Sequence, residues 1–269
     1  MRISMIFPDK VLVGRLEKNL ALDMKAYVQS FNRLFPDYDA VCEEVCGGIA
    51  IYTGEQFINT TIGLGLDDAA SITDLKKIET FFSIRGLSTH IEICSLTDEN
   101  FIKLLKESNY RLTEFNTAYT CLLENRVAKK IDINNIRVEI VDDANRDMWI
   151  QTVMDIYPRD SMTDTRLAQV ASNRELTTCF LAQMNGEAVG ASALSIRDGI
   201  ATLYFTATRY AYRNQGVQTA MIWARLNYAQ ARGCEIAFST TDPGNNSMRN
   251  LMRAGFQVAY VRCEMKKDA

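Results

Sequence analysis

Two dipeptides, Asn185-Gly186 and Asp198-Gly199, constrain the fold of this chain more than any other feature. Each is a pair suited to a two-residue hairpin turn, whose central positions both require positive φ. They divide residues 177–208 into three strand-like runs, which predicts a three-stranded antiparallel meander. The meander leads through RYAYRNQGVQ into a helical run, with Val217, Ala220, Met221, Ala224, Tyr228 and Ala231 on one face and Gly233 as its stop. CEIAFST follows as a strand, and a strand reached through a helix is expected to lie parallel to its predecessor. DPGNNSMRNLMRAGF predicts another helix, opened by Asp242-Pro243 or by the asparagines after them and ended at Gly255. FQVAYVRCEM supplies a final strand.

The first half is patterned more loosely. Val13, Leu16, Leu20, Met24, Tyr27, Phe31 and Leu34 describe one face of a long helix that Pro36 ends. GGIAIYTGEQFINTTIGLGL reads as a β-hairpin region with Gly54 at its turn. Ile72, Leu75, Ile78 and Phe82 mark a second helix closing at Gly86. A strand over His90–Leu96, a short helix bearing Phe101, Leu104 and Leu105, and a strand over Arg111–Leu123 complete this half. ENRVAKKIDINN, residues 124–135, interrupts the pattern with charge and amides and is taken as the domain boundary, giving domains 1–125 and 132–269. Beyond it come the alternating strand IRVEIV, a helix in DDANRDMWIQTVMDIY with Asp142 and Asp143 placed to cap it, and an irregular helical stretch to Leu176. There is also an internal echo. FIKLLKESNYRLTEFNTAYTCLL parallels SMRNLMRAGFQVAYVRCEMKK, each a helix ending at a small residue, then an aromatic (Tyr110, Phe256), then a strand. Two tandem copies of one fold explain it economically.

Composition narrows the chemistry. A 47% hydrophobic and 23% charged chain of 269 residues has enough apolar matter for two cores. A net charge of −3 argues against a nucleic-acid surface. No run approaches the length of a membrane span, and Asp9 and Lys10 stand where a signal peptide needs apolar residues. Seven cysteines fit reduced, buried thiols, which suits the cytoplasm. The single histidine, His90, lies in a strand-like run, so Ser-His-Asp, Cys-His and zinc arrangements have little to draw on. Cys42 and Cys46, four apart in a helical run, read as one helix face rather than a metal pair, and no metal is expected.

RNQGVQTAM, Arg213–Met221, joins strand to helix. An arginine and a glycine at a helix start suit an anion, because the first turn has unpaired N–H groups and partial positive charge. The alternative is that Gly216 simply makes a turn there. The surrounding order decides. Meander, Arg-x-x-Gly loop, helix, parallel strand, helix ending in Ala-Gly-Phe and final strand resembles the GNAT acyltransferase superfamily from Ile136 to the end. The family's cofactor loop runs Gln/Arg-x-x-Gly-x-Gly/Ala, and here it is Arg213-Asn214-Gln215-Gly216-Val217-Gln218, with Gln218 departing from the small residue at the last position. GVQTA resembles a tandem branch of the family whose N-terminal copy is degenerate. The implied fold class is α/β, as two tandem GNAT-like domains, each a mixed, mostly antiparallel sheet flanked by helices. The first half offers Asp67 and Asp68 at the equivalent junction, so one cofactor site is expected, in 132–269.

The resemblance implies acetyl-CoA as cofactor. Its pyrophosphate would take backbone N–H groups from Gln215, Gly216, Val217 and Gln218, with Arg213 adding a fixed positive charge and Asn214 and Thr219 completing the cofactor-binding loop. Its pantetheine arm would lie along Thr206, Ala207 and Thr208 as an added strand. Asn245, Ser247 and Asn250 of the last helix are candidate contacts, Asn245 and Ser247 being equally suited to capping that helix. The implied reaction is acetyl transfer to a small or protein amine by direct attack in a ternary complex. The family's usual glutamate falls on Thr202 and its usual tyrosine on Leu251, so both customary proton-transfer groups are missing. Tyr204, on the same face as Thr202, is the candidate catalytic group, against a plain core aromatic. A non-catalytic CoA- or acyl-CoA-binding module is the alternative. Acceptor chemistry is assigned to loops such as YPRDSMTDTRL and its neighbours; Asp155, Asp160 and Asp164 would attract a cation or simply be solvated.

Overall fold

A computed structural model describes residues 6–54, 58–66, 69–124, 126–128, 133, 135–156 and 165–268. By its contacts the chain divides into two compact units, one built mainly of Tyr119–Val258, the other of Phe7–Ala118 together with Ala259–Ala269.

The unit of Phe7–Ala118 begins with α1 (Lys10–Leu34), whose N-cap Asp9 accepts from the Leu12 N–H at 2.8 Å. β1 (Val41–Val45), β2 (Gly48–Tyr52) and β3 (Thr60–Ile62) form an antiparallel meander. α2 (Ile72–Ser83) returns the chain to β4 (Thr89–Cys94), which runs parallel to β3, and α3 (Glu99–Glu107) leads into β5 (Arg111–Leu122). Residues from Ala259 onward pair antiparallel with β4 as part of the last strand, named below. That strand carries Tyr260 and Arg262, and the Glu17 carboxylate of α1 accepts from both, at 2.8 and 2.9 Å. Arg262 also meets Glu92 at 2.7 Å, so the buried guanidinium has carboxylates on two sides.

The unit of Tyr119–Val258 repeats the same order. After β6 (Ile136–Ile140), α4 (Arg146–Ile156) and α5 (Thr165–Asn173) come β7 (Thr177–Met184), β8 (Glu187–Arg197) and β9 (Ile200–Thr208), again an antiparallel meander. α6 (Val217–Ala231) returns the chain to β10 (Ile236–Thr241), parallel to β9, and α7 (Asn246–Arg253) leads into β11 (Gln257–Lys267). Meander, helix, parallel strand, helix and strand thus occur twice, which gives the sequence echo its structural meaning. The α6 face of the sheet holds the main core, with Phe180, Leu194, Leu203, Ile222, Leu226 and Leu251 in one cluster.

Asn185-Gly186 and Asp198-Gly199 make their turns with positive φ at all four residues, as the sequence predicts. Two expectations need correction and one alternative is resolved. Cys42 lies in β1 and Cys46 in the turn after it, not on a helix; Cys46 and Gly47 both have positive φ and close a hairpin that the sequence does not announce. Asp142 and Asp143 do not cap α4. Asp142 accepts instead from the Ala144 N–H in the turn before it, and the Asn145 carbonyl takes the first helical bond, from Trp149. For α7 the asparagines win over Asp242-Pro243, since Asn245 is the N-cap. Asp67 and Asp68, and residues 157–164 of the acceptor loop, lie outside the described residues.

Candidate acyl-CoA site

The site is built where β9 and β10 part. Their parallel register runs Ile236↔Ile200, Ala237↔Ala201 and Phe238↔Thr202 and stops there, although β9 continues to Thr208 and β10 to Thr241. Ser239 Oγ donates to the Leu203 carbonyl at 3.1 Å, bridging the strands at the point of divergence. A β-bulge accompanies the split. On β8 the register steps from Ala191↔Ala207 to Ala193↔Tyr204, two residues against three, and Phe205 is held at φ 47°. The Arg209 N–H bonds back to the Val189 carbonyl on β8 at 2.9 Å. By the alternation of an antiparallel strand, the backbone of Ala207 then faces β8, and that of Thr206 and Thr208 faces the fork.

Beyond β9 the chain makes a single 3-10 turn, Tyr210–Tyr212, then extends at Arg213 and enters α6 through Asn214 at φ 62° and Gly216 at φ 91°. Four other helices, α1, α2, α3 and α7, have side-chain N-caps from Asp9, Ser71, Asp98 and Asn245. α6 has none, because Gly216 occupies the position. Its first N–H groups and its positive dipole end therefore receive no side-chain oxygen at the N-cap, an arrangement that fits a phosphate. Arg213 is exposed beside this end, its guanidinium 5.1 Å from the ring of the exposed Tyr210. Gln215 bonds back to the Ala211 carbonyl. Gly216 has a second reason to be glycine, since a Cβ there would lie 2.5 Å from Ile133 Cγ2.

The structure brings Gln218, Ser247 and Asn250 together. Asn250 Nδ2 donates to Gln218 Oε1 at 2.5 Å, and Gln218 Nε2 reaches Ser247 Oγ at 3.5 Å. The departure from a small residue at Gln218 thus has a partner in α7. Asn245 is occupied otherwise: its Oδ1 caps α7 through the Met248 N–H and its Nδ2 donates to Thr241 Oγ1, both at 2.8 Å. Val217 is buried in a core cluster with Ala220 and Met221, which leaves only its backbone for a ligand. Gly190 was not singled out by the sequence. A Cβ there would lie 2.8 Å from Val217 and 2.9 Å from Met221, so this glycine lets the start of α6 settle onto β8.

Around the fork, proton-transfer groups are sparse. Thr202 and Leu251 are both buried, Leu251 within the main core. The Tyr204 hydroxyl is hydrogen-bonded to Thr177 Oγ1 at 2.7 Å, its ring lies under the Arg174 guanidinium at 4.3 Å, and it meets Phe205 edge-on at 5.7 Å. Asp155 is paired with Arg209 at 2.6 Å, which neutralises it as a cation attractor. Burial pushes the Cys179 thiol up to about 12, against the pull of Arg146 and Arg174, so it is no nucleophile at neutral pH.

Sequence comparison decides the family. Residues 140–256 match the model of the Acetyltransferase (GNAT) family. This stretch is a GNAT domain. No curated protein sequence matches the chain. Among solved structures, a GCN5-related N-acetyltransferase from Kribbella flavida aligns with a TM-score of 0.66 at 15% identity, over 94% of this chain and 96% of its own. A GCN5-related N-acetyltransferase from Sphaerobacter thermophilus gives 0.58 at 16% identity, over 72% and 66%. A tandem GNAT protein from the clavulanic acid biosynthesis pathway gives 0.54 at 12%, over 68% and 64%. The fold is accordingly that of tandem GNAT proteins, and the general activity that goes with a GNAT domain is acyl transfer from acetyl-CoA. Among the described residues no helix is long and apolar enough to cross a membrane.

Proposed function

We propose that the GNAT domain, residues 132–269, is an N-acetyltransferase that binds acetyl-CoA and presents its thioester to an amine in a ternary complex. The observation that carries this reading is the uncapped start of α6 at Gly216, set beside a fork whose β9 edge turns the backbone of Thr206 and Thr208 outward. The N–H groups of Val217, Gln218 and Thr219 would take the pyrophosphate, with Arg213, Asn214 and Gln215 lining its approach. Thr206 and Thr208 would pair with the pantetheine arm, and Ala207 would hold that strand to β8. Ser247 and Asn250, tied to Gln218, would border the phosphates, whereas Asn245 serves as a cap.

Direct attack is favoured over an acyl-enzyme because the thiols of this unit are poor nucleophiles. Burial raises Cys121, Cys179 and Cys234 alike. Nothing at Thr202 or Leu251 replaces the customary base and acid, and Tyr204 has its hydroxyl engaged by Thr177. Rate would then rest on orientation, worth up to about 7–11 kcal/mol in favourable cases. The forgone general acid–base help is typically 10²–10⁴-fold. Turnover should be slow.

Residues 1–125 are read as a degenerate copy without a cofactor site. The helix equivalent to α6 is α2, and Ser71 with Asp74 forms a capping box at its start, so a carboxylate stands where a phosphate would go. Seven free cysteines suit a reducing compartment, which supports a cytoplasmic amine, small or on a protein, as acceptor. Non-catalytic CoA binding is the second reading, motivated by the same Thr202 and Leu251.

Calorimetric titration with acetyl-CoA and CoA, with Arg213→Glu alongside, tests the site. Micromolar binding that is lost in the variant is the expected result, whereas unchanged affinity would remove the pyrophosphate from this loop. Acetyl-CoA consumption over a panel of amines then separates the two readings, since a pure binder consumes none.

A further inference from the structure

The bulge in β9 is gripped from both faces of the sheet by buried side chains with polar ends. Among the described residues, Trp149 of α4 and Arg225 of α6 are the largest fully buried side chains. From the α4 side, Trp149 Nε1 donates to the carbonyl of Ser192 at 3.1 Å, the β8 residue that lies between the two registers. The same indole packs edge-on against Phe205, the residue at φ 47°, with centroids 6.2 Å apart. From the α6 side, the Arg225 guanidinium donates through one nitrogen to the Ala193 carbonyl at 3.2 Å and to the Tyr204 carbonyl at 3.4 Å. Its Nε bonds to Met221 of its own helix at 3.1 Å. Ala193 and Tyr204 are the last regular pair before the bulge.

Burying a guanidinium or an indole N–H is costly unless its donors are used, and here the indole N–H and one guanidinium nitrogen are spent on backbone carbonyls of one irregularity. A hydrophobic core would be satisfied by leucine at either place. What these two residues add is a fixed shape for a strand segment whose ladder is broken and whose φ is disfavoured. We propose that Trp149 and Arg225 are positioning residues that lock the bulge. They thereby aim the outward backbone of Thr206 and Thr208 at the acyl-pantetheine arm without themselves touching the ligand. This rests on the acyl-CoA reading of the fork. It assigns separate parts to separate residues: the α6 start binds the phosphates, and the clamp sets the arm.

The division makes the test selective. Adenosine 3′,5′-bisphosphate carries the nucleotide end of CoA without the arm. Wild type, Trp149→Phe, Arg225→Met and Arg225→Lys are titrated with CoA, and the bisphosphate is measured by competition. The expected result is a loss of about tenfold in CoA affinity for Trp149→Phe and Arg225→Met. Bisphosphate affinity should stay within about twofold of wild type, and Arg225→Lys should recover part of the loss. Hydrogen exchange at Ala207, whose backbone faces β8, should quicken in the weakened variants. Trp149→Phe keeps the ring packing and guards against a fold too damaged to read. Equal losses for both ligands would reduce the clamp to ordinary core stability, and unchanged CoA affinity in folded variants would overturn it outright. Wild type binding neither ligand would instead bring down the acyl-CoA reading and the clamp with it.

Discussion

Gly216 carries a demand that no other residue meets. Its φ of 91° strains any side chain, and its Cβ would press on Ile133. Gly216→Ala should therefore destabilise the protein by roughly 1–3 kcal/mol in urea unfolding, with or without ligand. The Arg-x-x-Gly motif is legible in sequence, but half of its glycine requirement comes from residue 133, which only the folded chain brings near. Cys179 supports a pH prediction. Folding holds its thiol neutral to about 12, against about 8.5 in an unfolded chain, so the folded state keeps a proton that the unfolded state loses. The stability this contributes is complete below pH about 8.5 and declines as pH rises toward 12. Unfolding free energies of wild type and Cys179→Ala between pH 8 and 10 check it: the variant should show the shallower decline, and parallel slopes would contradict the assignment.

Between elements, α7 separates two readings that its sequence leaves equal. Asn245 caps the helix through Met248, whereas Asn250 turns to Gln218 at the start of α6. Asn245→Ala should cost about 1 kcal/mol of stability in thermal or urea unfolding. Asn250→Ala should stay within about 0.5 kcal/mol of wild type while weakening CoA binding. Reversed effects in the same two assays would exchange the roles. Capping was readable because Asn at a helix start is a local signal. The Gln218–Asn250 pair was not, because thirty-odd residues separate its members and only the packing of α7 beside α6 joins them. The β1–β2 hairpin was missed for the opposite reason, its Cys46-Gly47 turn lacking the Asn or Asp that usually marks positive φ.

At the scale of the molecule, the compact units divide the chain near Ala118 and again near Val258, not at the charged stretch 124–135. Tyr119, Cys121 and Leu123 are buried in the main core of the GNAT-bearing unit. A fragment 130–269 would lack all three, a deletion worth more than about 5 kcal/mol, on the order of a whole domain's stability. It should express poorly or melt far below the full chain, as differential scanning calorimetry would show. A fragment with unimpaired stability would restore the boundary drawn from composition.

Local signals by themselves determined the meander, its two-residue turns, the parallel return of β10 and the loop at Arg213–Gly216. All of these depend on neighbours in sequence: backbone φ preferences, hydrophobic period and the length of a crossover. Only the tertiary structure decided where β9 leaves β10, what engages the Tyr204 hydroxyl, what holds Phe205 at positive φ, and to which unit most of the last strand belongs. Those outcomes are set by donors and carbonyls that meet across the sheet, and a single sequence records their identities but not their meeting.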